Sequence, residues 1–186
     1  RERIAAFAGS FRSCTTADPD MAGADDAFEV IRGANFLAQH STRFRETPDQ
    51  LGPNIIANIE QALGYDLADF ARAHANQTRI YRAFQAFLAA YDFLICPAAA
   101  VSPFPWEQLY VEAIDGVELR TYFHWLALSY GLTLTCHPVC VIPCGRDRLG
   151  LPFGIQIAGR RGADRFVLGV AHALEQPLAG DPATAR

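Results

Sequence analysis

The sequence contains no lysine; all sixteen of its basic residues are arginine. No two serines are adjacent either, with Ser10, Ser13, Ser41, Ser102 and Ser129 scattered along the chain. The arginines form no run of the kind that grips nucleic acid, and the net charge of −4 is mild, so a nucleic-acid partner is not expected. No apolar stretch approaches the roughly 18 to 20 residues of a membrane span, which sets aside a transmembrane helix. No secretory leader is recognised, and the chain opens on Arg1 rather than Met. Repeats and low-complexity tracts are lacking, apart from a loose Gly/Ala/Pro tail from Pro177 to Arg186.

What is present suffices for one domain or a large part of one: 186 residues, 51% hydrophobic, 11% aromatic and 19% charged. The five cysteines, an odd number without the spacing of a secreted disulfide scaffold, read as reduced thiols of a cytoplasmic protein. Three of them crowd with His137 into LTCHPVCVIPCG, residues 134–145. Pro138 and Pro143 exclude a helix there, and the surrounding Leu, Thr, Val and Ile favour extended chain. Along a straight strand Cys136, Cys140 and Cys144 stand roughly 13 Å apart in succession, too far for one zinc to collect them. A bend at either proline leaves a metal site open, but no second close pair of Cys or His completes a zinc signature. Cys136 and His137, being adjacent, point to opposite faces of a strand and make a poor nucleophilic pair. The reading placed first is buried core, since free cysteine behaves as a small hydrophobe. No metal or other cofactor is expected.

The pattern along the chain predicts helices alternating with strands. Arg1 to Ala8 reads as the tail of a helix closed by Gly9. Phe11 to Cys14 reads as a short strand, and Thr15 to Gly23 as a loop with a turn at Asp18-Pro19-Asp20. A helix capped by Asp25 or Asp26 runs to about Arg45, with Phe28, Ile31, Asn35 and Leu37 or Ala38 inward. Pro53 opens the next, carrying Ile55, Ile56, Ile59 and Leu63, and Gly64 closes it. The longest helix spans Asp66 to Tyr91, with a core stripe of Phe70, Ala73, Ile80, Phe84, Phe87 and Leu88 and with His74 at its solvated edge. Phe93 to Cys96 is continuously apolar, as in a strand buried on both faces. The stiff loop Ala98 to Trp106 follows it, in the position where α/β proteins place ligands. Then come a helix Glu118 to Tyr130, the cysteine-rich strand, a turn over residues 145–150, a strand Phe153 to Ala158 and a helix Asp164 to Glu175. The last helix buries Phe166, Val167, Val170, Ala171 and Leu174. Strands separated by helices predict an α/β layered fold.

Four segments in the second half resemble the amidase signature family. Tyr91-Asp-Phe-Leu-Ile-Cys-Pro97 is similar to its YDxLxxP element. Thr135-Cys-His-Pro138 with Ile142-Pro-Cys-Gly145 resembles its TGxP…vPxG segment, with Cys136 in place of the usual glycine. Gly150-Leu-Pro-Phe-Gly-Ile-Gln-Ile-Ala-Gly159 is similar to its GLPxGxQxxG strand, and Val170-Ala-His-Ala-Leu-Glu175 to the helix that ends its domain. Residues 24–90 resemble the helical stretch before them. The resemblance implies the C-terminal part of that family's mixed-sheet α/β/α layered fold, over residues 1–176 with a tail at 177–186, and makes the cysteines structural.

Family members hydrolyse amides with a serine nucleophile, a second serine in a cis peptide and a lysine that acts as base through the bridging serine. A glycine- and serine-rich loop holds the oxyanion. This chain has no lysine, no paired serine and no such loop, so no catalytic residue is assigned to it. The resemblance implies the C-terminal portion of a longer amidase, expected to be inactive alone, with the missing N-terminal part as its partner and a small-molecule amide as substrate. Candidate residues for the substrate-pocket wall are Phe104 and Trp106 on the proline-rich loop, His124 and Trp125 on the following helix, and Cys136 with His137 before the cysteine-rich strand. Their aromatic character favours an apolar or aromatic amide. Sheet edges left without neighbours are expected to expose apolar surface and to favour a homodimer. Two rival readings remain: a stand-alone, non-catalytic binding module derived from an amidase, and a metal-binding redox protein built on Cys136, His137, Cys140 and Cys144.

Overall fold

The computed structural model describes residues 11–179; the helix tail expected at Arg1 to Ala8, with its Gly9 cap, lies outside the described residues. Three helices come first: α1 (Ala24–Glu46), α2 (Pro53–Leu63) and α3 (Leu67–Ala90). α1 starts at Gly23 in the left-handed region, with Asp25 and Asp26 in its first turn and Arg43 and Arg45 in its last, matching the helix dipole at both ends. α3 starts with a reciprocal capping box between Asp66 and Asp69. The small side chains Ala24, Ala27 and Ala73 let α1 and α3 approach closely around Val30, Ile80 and Leu134. On α1 the inward residues are therefore Ala24, Ala27, Val30 and Gly33, with Phe28 and Ile31 partly buried, whereas Asn35 and Ala38 face solvent. Leu63, expected inward on α2, is 63% exposed. On α3, Ala73, Ile80, Phe84 and Leu88 are buried as the spacing predicts.

The sheet has three strands in the order β1–β5–β4: β1 (Phe93–Pro97), β4 (Val139–Arg146) and β5 (Pro152–Gly159). Both pairings are antiparallel, Ile95 facing Ile157 and Cys140 facing Ile157 from the other side. β1 is thus an edge strand whose residues Phe93 to Cys96 are half-buried, not enclosed on both faces as the apolar run suggested. Pro143 sits in the other edge strand, β4, where a missing donor is tolerated, beside a register shift between Pro143 and Gly145. Helix α5 (Asp164–Ala179) covers one face, laying Val167, Ala171, Leu174 and Leu178 on Ile142, Cys144, Ile155 and Ile157. Phe84 and Leu88 of α3 with Leu132 cover the other face at Ala158, with Leu94 and Cys96 packed beside them. The result is helix–sheet–helix layering, the α/β class expected.

Local departures have physical causes. Residues 11–14 form no strand; Phe11 instead sets its ring edge-on to Phe93 at 5.5 Å. The helix expected over Glu118 to Tyr130 shrinks to α4 (Ala127–Leu134), preceded by a tight turn at His124–Leu126. Before that turn, β2 (Ala113–Ile114) and β3 (Val117–Glu118) make a small hairpin. Its two-residue loop is Asp115-Gly116, both at positive φ (50° and 79°), the Asp-Gly chemistry that favours such turns. Phe166 is 47% exposed on the outer side of α5. α5 runs on to Ala179, past Pro177 where a loose tail was expected.

Candidate functional site

A cleft of about 1650 Å³ opens between the irregular segment 11–23 with the first turn of α1 and the outer edge of β1, with Leu128, Gly131 and Leu132 of α4 at its floor and Arg120, Asp25 and Asp26 at its rim. The rim residues are tied by ion pairs and hydrogen bonds to α1 and α4. Glu29, 9% exposed, accepts from Arg120 Nε (2.9 Å) and Nη2 (2.7 Å), from His124 Nε2 (2.9 Å) and from Gln61 Nε2 (3.2 Å). Arg120 Nη2 also reaches Asp26 at 2.8 Å. Tyr130 donates its hydroxyl to Asp25 at 2.5 Å; burial above all, then that bond and the nearby carboxylates, push the hydroxyl's pKa well above the usual phenol range.

Behind the cleft, Gln156 of β5 is 4% exposed and joins three elements. Its Nε2 donates to the carbonyls of Pro97 (3.0 Å) at the end of β1 and Leu128 (3.1 Å) in α4, and lies 3.6 Å from Cys96 Sγ. Ser129 Oγ donates to the Ala98 carbonyl at 3.1 Å, so the start of the proline-rich loop is tied down twice. The glycine that ends the same motif has its own reason: a Cβ on Gly159 would sit 2.4 Å from Val167 Cγ2, so only glycine lets α5 lie this close to the strand.

The six sequence-derived candidates fall in separate places, and none lines the cleft. Phe104 and Trp125 do meet, ring centroids 5.5 Å apart and nearly perpendicular. Trp106, two residues along, is 87% exposed. His124 turns toward Glu29. Cys136 and His137 lie instead against α3. Cys136 is exposed, in a left-handed conformation (φ 53°), with Gln77 Nε2 at 3.9 Å from its sulfur. His137 is buried, donates Nδ1–H to the Thr135 carbonyl, and sets its ring edge-on to Phe84 at 4.9 Å. Burial first, with the charge of Arg161 adding to it, lowers its pKa below 6.5. All five cysteines are free, and among the described residues no three His, Cys, Asp or Glu side chains gather to hold a metal. No helix among them is long and apolar enough to cross a membrane. Glu29 and Arg120 were not legible beforehand, while Gln156 carried a signal in its motif.

A family model described as Amidase matches residues 13–168. The chain belongs to the amidase family. An acylamidase of Rhodococcus erythropolis is 32% identical over 118 residues, covering 63% of this amidase chain and 24% of the relative. The crystal structure of a bacterial aryl acylamidase of the amidase signature family superposes with a TM-score of 0.79 at 19% identity, over 97% of this chain and 42% of that one. The structure of 6-aminohexanoate cyclic dimer hydrolase superposes with a TM-score of 0.81 at 20% identity, over 100% of this chain and 41% of that one. The amidase fold is therefore shared, and the chain spans about a quarter of the length of the curated relatives it matches.

Proposed function

We propose that this chain is the C-terminal portion of an amide hydrolase, supplying part of the sheet and of the substrate-pocket wall. On this reading the serine, cis-serine and lysine of the reaction lie on polypeptide outside these 186 residues, which hold neither a lysine nor a paired serine. The family match over residues 13–168 carries the proposal. The cleft along the open edge of β1 gives it a place for the remainder of the enzyme to dock.

Phe104 and Trp125 form the wall that meets the substrate, which is a small-molecule amide with an apolar or aromatic acyl group. Trp106, exposed on the same loop, belongs to this wall. His124, held by Glu29, and Cys136 with His137, the latter held by the Thr135 carbonyl, are the remaining wall residues on this reading. The enzyme works in the cytoplasm, consistent with its five free thiols, and pairs as a homodimer.

The test is hydrolysis of an aromatic anilide by the native polypeptide that carries this chain. Phe104→Ala and Trp125→Ala are expected to raise KM severalfold with folding intact. Unchanged KM in both variants would remove them from the wall. No hydrolysis of any amide would favour the alternative, a non-catalytic binding module.

A further inference from the structure

Helix α1 presents Asp26, Glu29 and Arg32 at three-residue spacing, so the three share one face. The segment after the β2–β3 hairpin answers with Arg120, Tyr122 and His124. Both acidic members of this zipper are paired, Asp26 with Arg120 and Glu29 with Arg120, His124 and Gln61. Arg32 is different. Its Nε donates to Asn58 Oδ1 (3.2 Å) and its Nη2 to the Tyr122 hydroxyl oxygen (2.7 Å), and among the described residues it forms no ion pair.

Four rings surround the guanidinium, with Phe36 at 4.6 Å, Phe123 at 4.9 Å, Tyr122 at 5.8 Å and Phe28 at 6.0 Å from its carbon. Ring faces stabilise the cation without using up its N–H groups. A guanidinium offers five donors, and protein acceptors among the described residues take two. Asn58, 4% exposed, fixes the geometry: besides accepting from Arg32, its Nδ2 donates to the Asn54 carbonyl and, at 2.8 Å, to the Tyr122 oxygen. The Tyr122 oxygen thus receives two donors, and its own O–H has no acceptor among the described residues. Two unspent donor groups, Arg32 Nη1 and Tyr122 O–H, are held together by a buried amide at half-buried positions that solvent reaches.

We propose that Arg32, Tyr122 and Asn58 form a carboxylate-binding site, separate from the β1 cleft, none of whose lining residues they share. A carboxylate accepts from the guanidinium with one oxygen and from the tyrosine hydroxyl with the other, and it neutralises a cation that forms no ion pair among the described residues. The flanking rings of Phe36, Tyr122 and Tyr110, the last 5.9 Å from Tyr122, select an aromatic carboxylate over acetate or phosphate. This site goes beyond the hydrolase reading and does not depend on it.

The experiment is a calorimetric titration of benzoate, acetate and inorganic phosphate into the native polypeptide carrying this chain. Benzoate is expected to bind saturably and more tightly than the other two. Arg32→Gln is expected to weaken it tenfold or more, the usual loss for a hydrogen bond to a charged group. Tyr122→Phe keeps every ring contact and is expected to weaken it severalfold, so it decides the matter where Arg32→Gln does not fold. No saturable benzoate binding, tighter binding of phosphate, or unchanged affinity in Tyr122→Phe would each overturn the site.

Discussion

Gln156 donates its side-chain amide to the Pro97 carbonyl at 3.0 Å, so the central strand of the sheet holds the end of its edge strand through a side chain. The same nitrogen reaches the Leu128 carbonyl, which makes the glutamine a buried joint between sheet, loop and helix. Replacing it with leucine keeps most of the volume and leaves two acceptors without their donor. Gln156→Leu is expected to lower unfolding stability by roughly 1–3 kcal/mol, read as a shifted urea midpoint at unchanged slope. An unchanged midpoint would show that the joint carries no load.

Cys136 stands where the resembling family segment has glycine, and the backbone explains that preference. Its φ of 53° lies in the left-handed region, which costs a non-glycine residue about 1–2 kcal/mol. Glycine removes that strain but enlarges the freedom of the unfolded chain by about 0.4–1 kcal/mol. Cys136→Gly is expected to leave stability unchanged or raise it, by at most about 1.6 kcal/mol, whereas Cys136→Val is expected to destabilise the fold, since β-branched residues fit this region poorly. Equal stabilities for the two variants would contradict the strain argument.

His137 gives stability a pH dependence of definite sign. Its folded-state pKa lies below the ordinary 6.5, chiefly because burial disfavours the imidazolium. The unfolded chain therefore binds its proton first. The stability that depends on the neutral ring is complete above pH 6.5 and is lost as pH falls from there through the depressed folded value. His137→Gln is expected to flatten the fall of the urea midpoint below pH 6.5. An equally steep fall in the variant would assign the effect elsewhere.

The thiols are expected to separate by reactivity. Burial pushes Cys96 up to about 11, against which the Gln156 contact works only in part, while Cys14 and Cys136 are exposed. A thiol reagent at mildly alkaline pH should label Cys14 and Cys136 in the native protein and leave Cys96 until denaturant is added. Early labelling of Cys96, seen by peptide mass mapping, would mean that the β1 edge opens readily.

The parts of this fold that sequence made readable are those whose cause is local. The α3 stripe follows from spacing alone, since Ala73, Ile80, Phe84 and Leu88 recur at helical period and are buried. The strand β5 and its turn were readable because Gly159 and Gln156 each answer a short-range steric or hydrogen-bonding demand. The misreading at Glu118 to Tyr130 has a local cause too: the Asp115-Gly116 turn was in the sequence, but the aromatic run after it imitated a helix face. Tyr122 and Phe123 in fact close over Arg32. What local pattern could not reveal is the ion pair that holds Arg120 at the rim of the cleft. Glu29 and Arg120 are 91 residues apart, and nothing near either one announces the other. The halves of β1's surroundings were equally hidden, because an apolar run looks the same whether its far edge is paired or open.

The central claim is that amide hydrolysis needs residues this chain does not contain. It is tested most directly by purifying the native polypeptide that carries the sequence, reading its intact mass and N-terminal sequence, and assaying it beside the isolated 186-residue chain on one aromatic anilide. The account predicts a polypeptide more than twice as long, with a lysine and a paired serine upstream of these residues, that hydrolyses the anilide while the isolated chain does not. Turnover by the isolated chain, abolished by a serine-directed inhibitor, would contradict it.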